Sequence, residues 1–257
     1  MIHQIRQELG IIIKSAPEIA IMREAGRIVA AVIEALTREV RPGVTTAELD
    51  NVAVRELNKR GAVSSFKGYR DYPAYICTSV NEEVVHGIPG NRVLREGDII
   101  SLDVGAKLNS FHADAAVTLG VGKISPKAQE LVDVTKGALE AGIAAARNGA
   151  RLGDVSAAIQ SFAESRNFSV VREYVGHGIG RDLHEDPQVP NFGIGGEGPL
   201  LRKGMTIALE PMLNAGVWRT RVADNKWTVV TADGKLSAHF EHTIAITDSM
   251  PEILTMV

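Results

Sequence analysis

The sequence predicts a mixed α+β fold in which pairs of helices cover antiparallel strands. This prediction rests on an order of elements that occurs twice along the chain: two helices, then several strand-like segments. The two copies cover about residues 12–120 and 121–250, which suggests halves related by a pseudo-twofold axis. Because no Pro- or Ser-rich linker separates them, we expect one domain over residues 1–257.

The first helix pair carries two N-terminal signals. Ser15-x-x-Glu18 and Thr45-x-x-Glu48 each fit a capping box, in which a hydroxyl and a carboxylate satisfy free backbone N–H groups. Pro42-Gly43 separates the two helices, and the second is expected to end near Gly61. Strand-like segments follow at 74–80, 98–105 and 111–119.

The second helix pair repeats this plan. It begins at Ser125-Pro126, and the break between its helices lies at Asn148-Gly149. The strand-like segments of this half are at 169–175, 205–211, 228–231 and 237–247.

Composition narrows the class of protein. The formal net charge of −3 gives no electrostatic reason to expect binding to nucleic acid or to a membrane surface. A single cysteine, Cys77, excludes an intrachain disulfide framework. No apolar run approaches 18 residues, and the Ile11–Ile13 run is too short for the core of a signal peptide. We therefore expect a cytoplasmic enzyme.

Two aspartates stand in apolar, strand-like surroundings. Asp103 follows the run Ile99–Leu102, and Asp114 lies between two alanines. A turn centred on Leu108-Asn109 would place the two carboxylates opposite each other, about 4.5–5.5 Å apart at Cβ. Either aspartate alone fits an edge or turn position. Two facing each other repel unless a proton or a cation lies between them, so we expect a metal ion.

The second half has the same feature. Glu210 ends an apolar strand before Pro211, and Glu241 interrupts another strand-like run. His177 stands between glycines in what we interpret as a tight turn after a strand, with His184 seven residues later. Each residue alone has an ordinary structural explanation, but a convergence of four acids between the halves favours a metal site. Because Gln188 stands where a second histidine would be needed, "HEDPQ" does not fit the zincin motif.

Four carboxylates and one imidazole match the charge and ligand preference of two divalent cations. Oxygen-rich ligation favours Mn, Fe or Co. Such a pair of cations holds a bridging hydroxide near neutral pH, a nucleophile for hydrolysis. The residues alone therefore predict a dinuclear metallohydrolase of unknown substrate.

The motifs resemble those of the pita-bread metallopeptidases, and among these the type I (bacterial-type) methionine aminopeptidases. The resemblance extends over nearly the whole chain and rests on Asp103, Asp114, "GHGIG", "LEPM" and "EHT". It implies a pita-bread fold and an enzyme that removes N-terminal methionine before a small second residue. It also implies the metal-ligand set Asp103, Asp114, His177, Glu210 and Glu241, with Asp114 and Glu241 bridging both ions.

The resemblance further implies roles for the other site residues. His86 would contact the scissile amide nitrogen, His184 would stabilise the oxyanion, and Glu210 would also transfer a proton. The substrate-binding residues it implies, together with His86 and His184, are Phe66, Tyr69, Tyr72, Cys77 and Trp227. Phe66 stands where a cysteine is common and Leu183 where an aromatic is frequent, so the shape of the pocket differs from the family pattern.

The partners implied are nascent polypeptide N-termini, at the ribosome or free of it, and we expect a monomer with no direct contact to nucleic acid or membrane. Two alternatives stay open. One is an Xaa-Pro peptidase of the same fold, which an Ala-Pro peptide would reveal. The other is a binding module without catalysis, which should have lost a ligand, whereas all five are present.

Overall fold

The helices begin at the predicted caps. In the computed structural model, which describes residues 10–256, helix α1 spans Ala16–Glu39 and α2 spans Thr46–Lys59. The Glu18 carboxylate accepts hydrogen bonds from the backbone N–H and hydroxyl of Ser15, and Glu48 does the same for Thr45. Both caps lie where the sequence predicts them.

The second pair consists of α3 (Pro126–Ala145) and α4 (Leu152–Glu164). The Ser125 hydroxyl accepts a hydrogen bond from Ala128 N, and Pro126 occupies the first turn, where a missing N–H is tolerated. None of the described helices is long and apolar enough to span a membrane.

The strands are short, apart from one long hairpin. Within residues 10–256 they are β1 (Val63–Ser64), β2 (Cys77–Val80), β3 (Glu83–Val85), β4 (Ile99–Leu108), β5 (Phe111–Gly120), β6 (Ser169–Val170), β7 (Gly176–Gly178), β8 (Glu185–Val189), β9 (Thr206–Leu209), β10 (Met212–Asn214), β11 (Thr220–Val222), β12 (Val229–Thr231), β13 (Ser237–His239), β14 (Glu241–Ala245) and β15 (Glu252–Ile253).

The described strands form one large antiparallel sheet and two small ones. The large sheet has the order β1-β4-β5-β14-β9-β7-β8, with β2 beside β4 and β15 beside β14. Its central pair, β5 and β14, joins a strand of the first half to a strand of the second. The small sheets have the orders β13-β10-β6 and β11-β12-β3. Helices and antiparallel sheets in one chain confirm the α+β class.

The β4–β5 hairpin does not have the predicted register. Each residue of β4 pairs with a residue two positions further along β5 than expected. Asp103 is opposite Ala116, and Asp114 is opposite Gly105, so the two aspartates are diagonal neighbours. The turn lies at Asn109-Ser110, where both residues have positive φ, 46° and 67°. A two-residue turn of type I′ requires positive φ at both positions, and asparagine tolerates it well. The prediction of a Leu108-Asn109 turn was therefore wrong.

Four predicted strands are shorter than expected or divided, and the first of them, 74–80, is a strand only at Cys77–Val80. The segment 169–175 is a strand only at Ser169–Val170. The segment 205–211 ends as a strand at Leu209, and the chain resumes as β10 after Pro211, which has no N–H for the ladder. The segment 237–247 is divided at Phe240, because β13 pairs in a small sheet and β14 in the large one.

Two apolar clusters lie between the helices and the sheets. In the first half, Leu36 of α1 and Leu102 of β4 are fully buried in one cluster. In the second, Ile159 of α4 and Ile207 of β9 belong to another. The face of the large sheet that points away from these clusters carries polar side chains. Residues 1–9 and Val257 of the predicted single domain lie outside the described residues.

Candidate functional site

The candidate metal ligands come from neighbouring strands of the large sheet. Asp103 of β4 is opposite Ala116 of β5, and Ala116 is opposite Glu241 of β14. Glu210 directly follows β9, the next strand beyond β14. Small side chains such as Ala116 leave space between the carboxylates of this row.

A second row lies two residues along the strands and therefore on the same face. Gly105 is opposite Asp114 in the hairpin, and Thr243 of β14 is opposite Ala208 of β9. Ala208 is in turn opposite His177 of β7. The Thr243 hydroxyl connects the two parts of the row, because it lies 2.9 Å from Asp114 Oδ1 and accepts a hydrogen bond from Asp114 N.

His177 lies in a strand and not in the turn that the glycines suggested. A Cβ at Gly176 would lie 2.3 Å from the Ala208 carbonyl oxygen, and one at Gly178 would lie 2.2 Å from that of Asp186. These glycines therefore allow β9 and β8 to approach β7 from either side. The prediction of a tight turn at His177 was wrong because a missing side chain serves close strand packing as well as bending.

His86 directly follows β3 and adopts a left-handed backbone conformation with φ of 60°. Hydrogen bonds around the next residue, Gly87, stabilise this conformation. The Tyr72 hydroxyl lies 2.9 Å from the Gly87 carbonyl oxygen, and Gly87 N donates to the Ser79 hydroxyl at 3.2 Å. Burial lowers the pKa of His86 to about 4, so this imidazole is neutral near pH 7.

The ligand atoms converge. His177 Nε2 lies 3.5 Å from Asp114 Oδ2 and 3.7 Å from Glu210 Oε1. One ligand atom each of Asp114, His177 and Glu241 lie within 4.8 Å of one another. His239 Nε2 lies 4.0 Å from the other Glu210 oxygen.

The carboxylates are in an environment that disfavours their charge. Burial, followed by repulsion from Asp114, raises the pKa of Asp103 well above its ordinary value. The same two causes, in the same order, raise the pKa values of Glu210 and Glu241. Burial also raises the pKa of Asp114, although His177 and the Thr243 hydroxyl oppose part of the rise.

The donor set fits divalent cations. Asp103 Oδ1 is a buried oxygen with no hydrogen-bond partner among the described residues. An unpartnered acceptor in a cluster of four carboxylates is costly unless positive charge is bound there. The donors are four carboxylates and one imidazole, which Mn, Fe and Co accept.

A cavity of about 140 Å³ opens over the cluster. It brings together all twelve residues selected from the sequence, and Arg70 and Leu183 also line it. A larger groove, about 520 Å³, is lined mainly by residues of the 186–199 segment and contains none of the candidate ligands. The smaller cavity, and not the larger groove, is therefore the candidate active site.

Aromatic rings form the walls of the smaller cavity. Tyr72 and Trp227 pack edge to face with ring centroids 5.0 Å apart. His86 packs edge to face with both Trp227 and Tyr174. Tyr72 and Cys77 are buried at the base of this apolar wall.

Three residues near the cluster were not selected from the sequence: Thr243, His239 and Tyr174. His239 and Thr243 lie two residues before and after Glu241, and the period of a strand could have placed them on the same face. No local signal identifies Tyr174, which reaches His86 only through the tertiary fold.

Comparison with known proteins assigns the family. The sequence model of metallopeptidase family M24 matches residues 20–248. The chain is 55% identical to methionine aminopeptidase 1 of Bacillus subtilis over 96% of this chain and all of that protein. It is 47% identical to methionine aminopeptidase 1 of Mycobacterium tuberculosis over 95% of this chain and 94% of that one.

Solved structures agree with these relatives. The methionine aminopeptidase of Thermotoga maritima superposes with a TM-score of 0.95 at 48% identity, over 96% of this chain and all of that one. A prolidase from Pyrococcus furiosus superposes with a TM-score of 0.78 at 20% identity, over 98% of this chain and 67% of that one, which shows a shared fold. The expected pita-bread fold is confirmed. The chain belongs to metallopeptidase family M24, whose members use divalent metal ions, and within that family it is a hydrolase of the methionine aminopeptidase group.

Proposed function

We propose that this chain removes the N-terminal methionine from polypeptides whose second residue is small. One observation carries the proposal: the carboxylate–histidine cluster and an apolar pocket of rings and a thiol open into the same cavity. A substrate side chain held in the pocket therefore places the adjoining peptide bond beside the cluster. The identity to methionine aminopeptidases supports this substrate.

Two divalent cations would be held by the five ligands, with Co, Mn and Fe as candidates. Asp103 would bind one ion, His177 and Glu210 the other, and Asp114 and Glu241 would lie between them. The diagonal placement of Asp103 and Asp114 and the cross-sheet proximity of His177 support this division. When bound, such ions lower the pKa of water so that hydroxide is available as a nucleophile near neutral pH.

The remaining polar side chains would handle the substrate. His184 lies at the mouth of the cavity beside His177 and would donate a hydrogen bond to the carbonyl oxygen as it becomes negative. His86, neutral near pH 7, would contact the scissile amide nitrogen. Glu210 would carry a proton on a carboxylate oxygen from the nucleophile to the leaving amine.

The pocket suits a thioether. Its residues are Phe66, Tyr69, Tyr72, Cys77 and Trp227. A flexible methionine side chain fills an irregular slot of this kind, and each sulfur–aromatic contact is worth roughly 0.3–1.5 kcal/mol. If His86 contacts the scissile amide, its ring, packed against Trp227, would limit the space for the second residue, and this supports the preference for a small one.

At the level of the whole chain, we propose a single catalytic domain over residues 1–257, built from halves at about 12–120 and 121–250. It would act as a monomer in the cytoplasm on the N-termini of nascent polypeptides, at the ribosome or after release. The ligand set supports the single domain, because Asp103 and Asp114 come from the first half and His177 from the second.

A peptide series that varies the first two residues tests the proposal. We expect release of methionine from Met-Ala-Ser and of norleucine from its analogue. Leucine should be released poorly, since one change in an apolar pocket discriminates by about 1–3 kcal/mol. Release should fall as the second residue grows beyond Ala, Gly or Ser. Release of Ala from Ala-Pro peptides with Met-Ala-Ser untouched would assign the chain to proline-directed hydrolysis instead.

A further inference from the structure

His184 makes its one described side-chain hydrogen bond to a tyrosine. Its Nδ1 lies 2.8 Å from the Tyr69 hydroxyl oxygen. The two rings are stacked, with centroids 5.2 Å apart and an interplanar angle of 26°. The centroid of the His177 ring lies 4.2 Å from that of His184. The imidazole therefore packs against both Tyr69 and a candidate metal ligand.

The backbone around Tyr69 is unusual. Tyr69 begins a single 3₁₀ turn, and the two following residues, Arg70 and Asp71, have positive φ values of 47° and 68°. Neither is a glycine, so the left-handed conformation is strained at both positions. The turn is closed by hydrogen bonds from Tyr69 N to the Phe66 carbonyl and from Tyr72 N to the Tyr69 carbonyl. The backbone is therefore strained directly after the residue whose hydroxyl contacts His184.

The hydrogen bond decides which nitrogen of a neutral imidazole carries the proton. If the Tyr69 hydroxyl donates to Nδ1, the proton of His184 is on Nε2. If Nδ1–H donates instead, Nε2 becomes an acceptor and cannot stabilise an oxyanion. The Tyr69 hydroxyl has no other acceptor among the described side chains and backbone, so donation to Nδ1 is the arrangement that uses its proton.

We propose that Tyr69 is a positioning residue that holds His184 as the Nε2–H tautomer. Tyr69 thereby does more than line the methionine pocket. The catalytic consequence rests on the proposed function, since an Nε2–H group is the donor that an oxyanion requires. The tautomer itself does not depend on that function.

The tautomer can be measured directly. The probe is the full chain labelled with ¹⁵N-histidine and loaded with a diamagnetic cation such as Zn²⁺, with His184 signals identified by their loss in His184→Gln. We expect a protonated Nε2 and an unprotonated Nδ1 in the wild type, and a mixture of the two tautomers in Tyr69→Phe. A protonated Nδ1 in the wild type, or an unchanged tautomer in Tyr69→Phe, would overturn the proposal.

Tyr75→Phe is the matched control. Tyr75 packs under the Lys67 ammonium, and its ring does not line the cavity. Removing its hydroxyl is the same chemical change outside the site, so the His184 tautomer should be unaltered. A shift of the His184 signals in this control equal to that in Tyr69→Phe would show a general effect of losing a tyrosine hydroxyl and overturn the assignment.

Kinetics supply a second readout. Tyr69→Phe keeps the ring that contacts the substrate, so KM for Met-Ala-Ser should hardly change. kcat should fall about tenfold, the effect of removing one hydrogen bond from a donor that acts in the transition state. A rise in KM with unchanged kcat would show that Tyr69 only binds substrate. If the wild type releases no methionine at all, the proposed function fails while the tautomer measurement still stands.

Discussion

The Asp114 carboxylate contacts residues of two other strands of the large sheet, His177 of β7 and Thr243 of β14. This carboxylate belongs to a buried residue, lies 3.5 Å from His177 Nε2 and lies 2.9 Å from the Thr243 hydroxyl. Strands of both halves therefore meet at this side chain. Its position between the other ligands is the reason for assigning it to both cations.

Replacing Asp114 by Asn should remove one of two bound cations and lower kcat by orders of magnitude. The amide keeps the shape of the side chain but has no negative charge to offset a second divalent ion. Metal content by elemental analysis, together with kcat on Met-Ala-Ser, measures both effects. Glu34→Gln, an exposed change on α1, serves as the control. Two ions per chain and full activity in Asp114→Asn would refute the bridging role.

Thr243 orients Asp114 and should therefore affect metal affinity. We expect Thr243→Val, which removes the hydroxyl at nearly constant volume, to weaken cation binding about 10–100-fold, as is typical for partners of metal ligands. Thr243→Ser should keep the affinity close to that of the wild type. Calorimetric titration of metal-free protein measures the dissociation constants. Equal weakening in Val and Ser variants would attribute the effect to packing and exclude the hydroxyl.

The sequence predicts the acids and His177 better than it predicts their supporting residues. A carboxylate inside an apolar strand is conspicuous, because burying it alone is unfavourable. A threonine in a strand is common and gives no such signal. Thr243 becomes meaningful only when the register places it beside Asp114, and that register depends on long-range pairing.

Among the elements, the helices were the more predictable part. Their starts depend on neighbouring residues, as in the Thr45–Glu48 capping box. The hairpin register depends on which two residues form the turn, and Leu108-Asn109 and Asn109-Ser110 are adjacent choices with similar local signals. The choice moves every cross-strand pair, so this small error predicted Asp114 as the partner of Asp103, whereas the partner is Ala116.

The Arg23–Glu252 ion pair connects α1 to β15 and should make stability depend on pH. The Arg23 guanidinium lowers the pKa of Glu252, with Arg23 Nη2 and Glu252 Oε2 3.0 Å apart. An acid whose pKa is lower in the folded state stabilises above its unfolded pKa of about 4.3. That contribution is lost as pH falls through the folded value. Because both side chains are about a third exposed, it is worth less than about 1 kcal/mol.

Glu252→Gln should therefore be less stable than the wild type at about pH 6, and the difference should shrink as the pH falls below the ordinary glutamate pKa and vanish once Glu252 is protonated in the folded state. Chemical denaturation at several pH values measures the difference in the free energy of unfolding between the two proteins. Because both proteins contain the same metal-site acids, the pH dependence that these acids cause is absent from the difference. Glu24→Gln on the same helix, an exposed acid paired with Arg27, is the control. A difference that is constant with pH would show that the pair contributes by packing.

On the scale of the whole molecule, the candidate site joins the two halves. The first supplies Asp103 and Asp114, and the second supplies His177, Glu210 and Glu241. In the absence of cations, these acids repel one another across the central β5–β14 pair. Metal binding should therefore stabilise the fold as a unit.

Saturating metal should raise the Tm of chelator-treated protein by roughly 5–10 °C. A ligand at about 100 times its Kd contributes about 2.7 kcal/mol, and 1 kcal/mol moves the Tm of a chain of this size by about 2–4 °C. Thermal unfolding with and without Mn²⁺ measures the rise. In His177→Ala the rise should be smaller, because one of the two cations loses a ligand. An undiminished rise in that variant would place the stabilising cation elsewhere.

The most direct test is a titration of metal-free protein with Mn²⁺, Fe²⁺ or Co²⁺ in which methionine released from Met-Ala-Ser and cations bound per chain are measured on the same samples. We predict no release without metal and an activity that rises with bound cation to a maximum at no more than two per chain. Methionine release by the metal-free protein, or two bound cations with no release, would contradict the account.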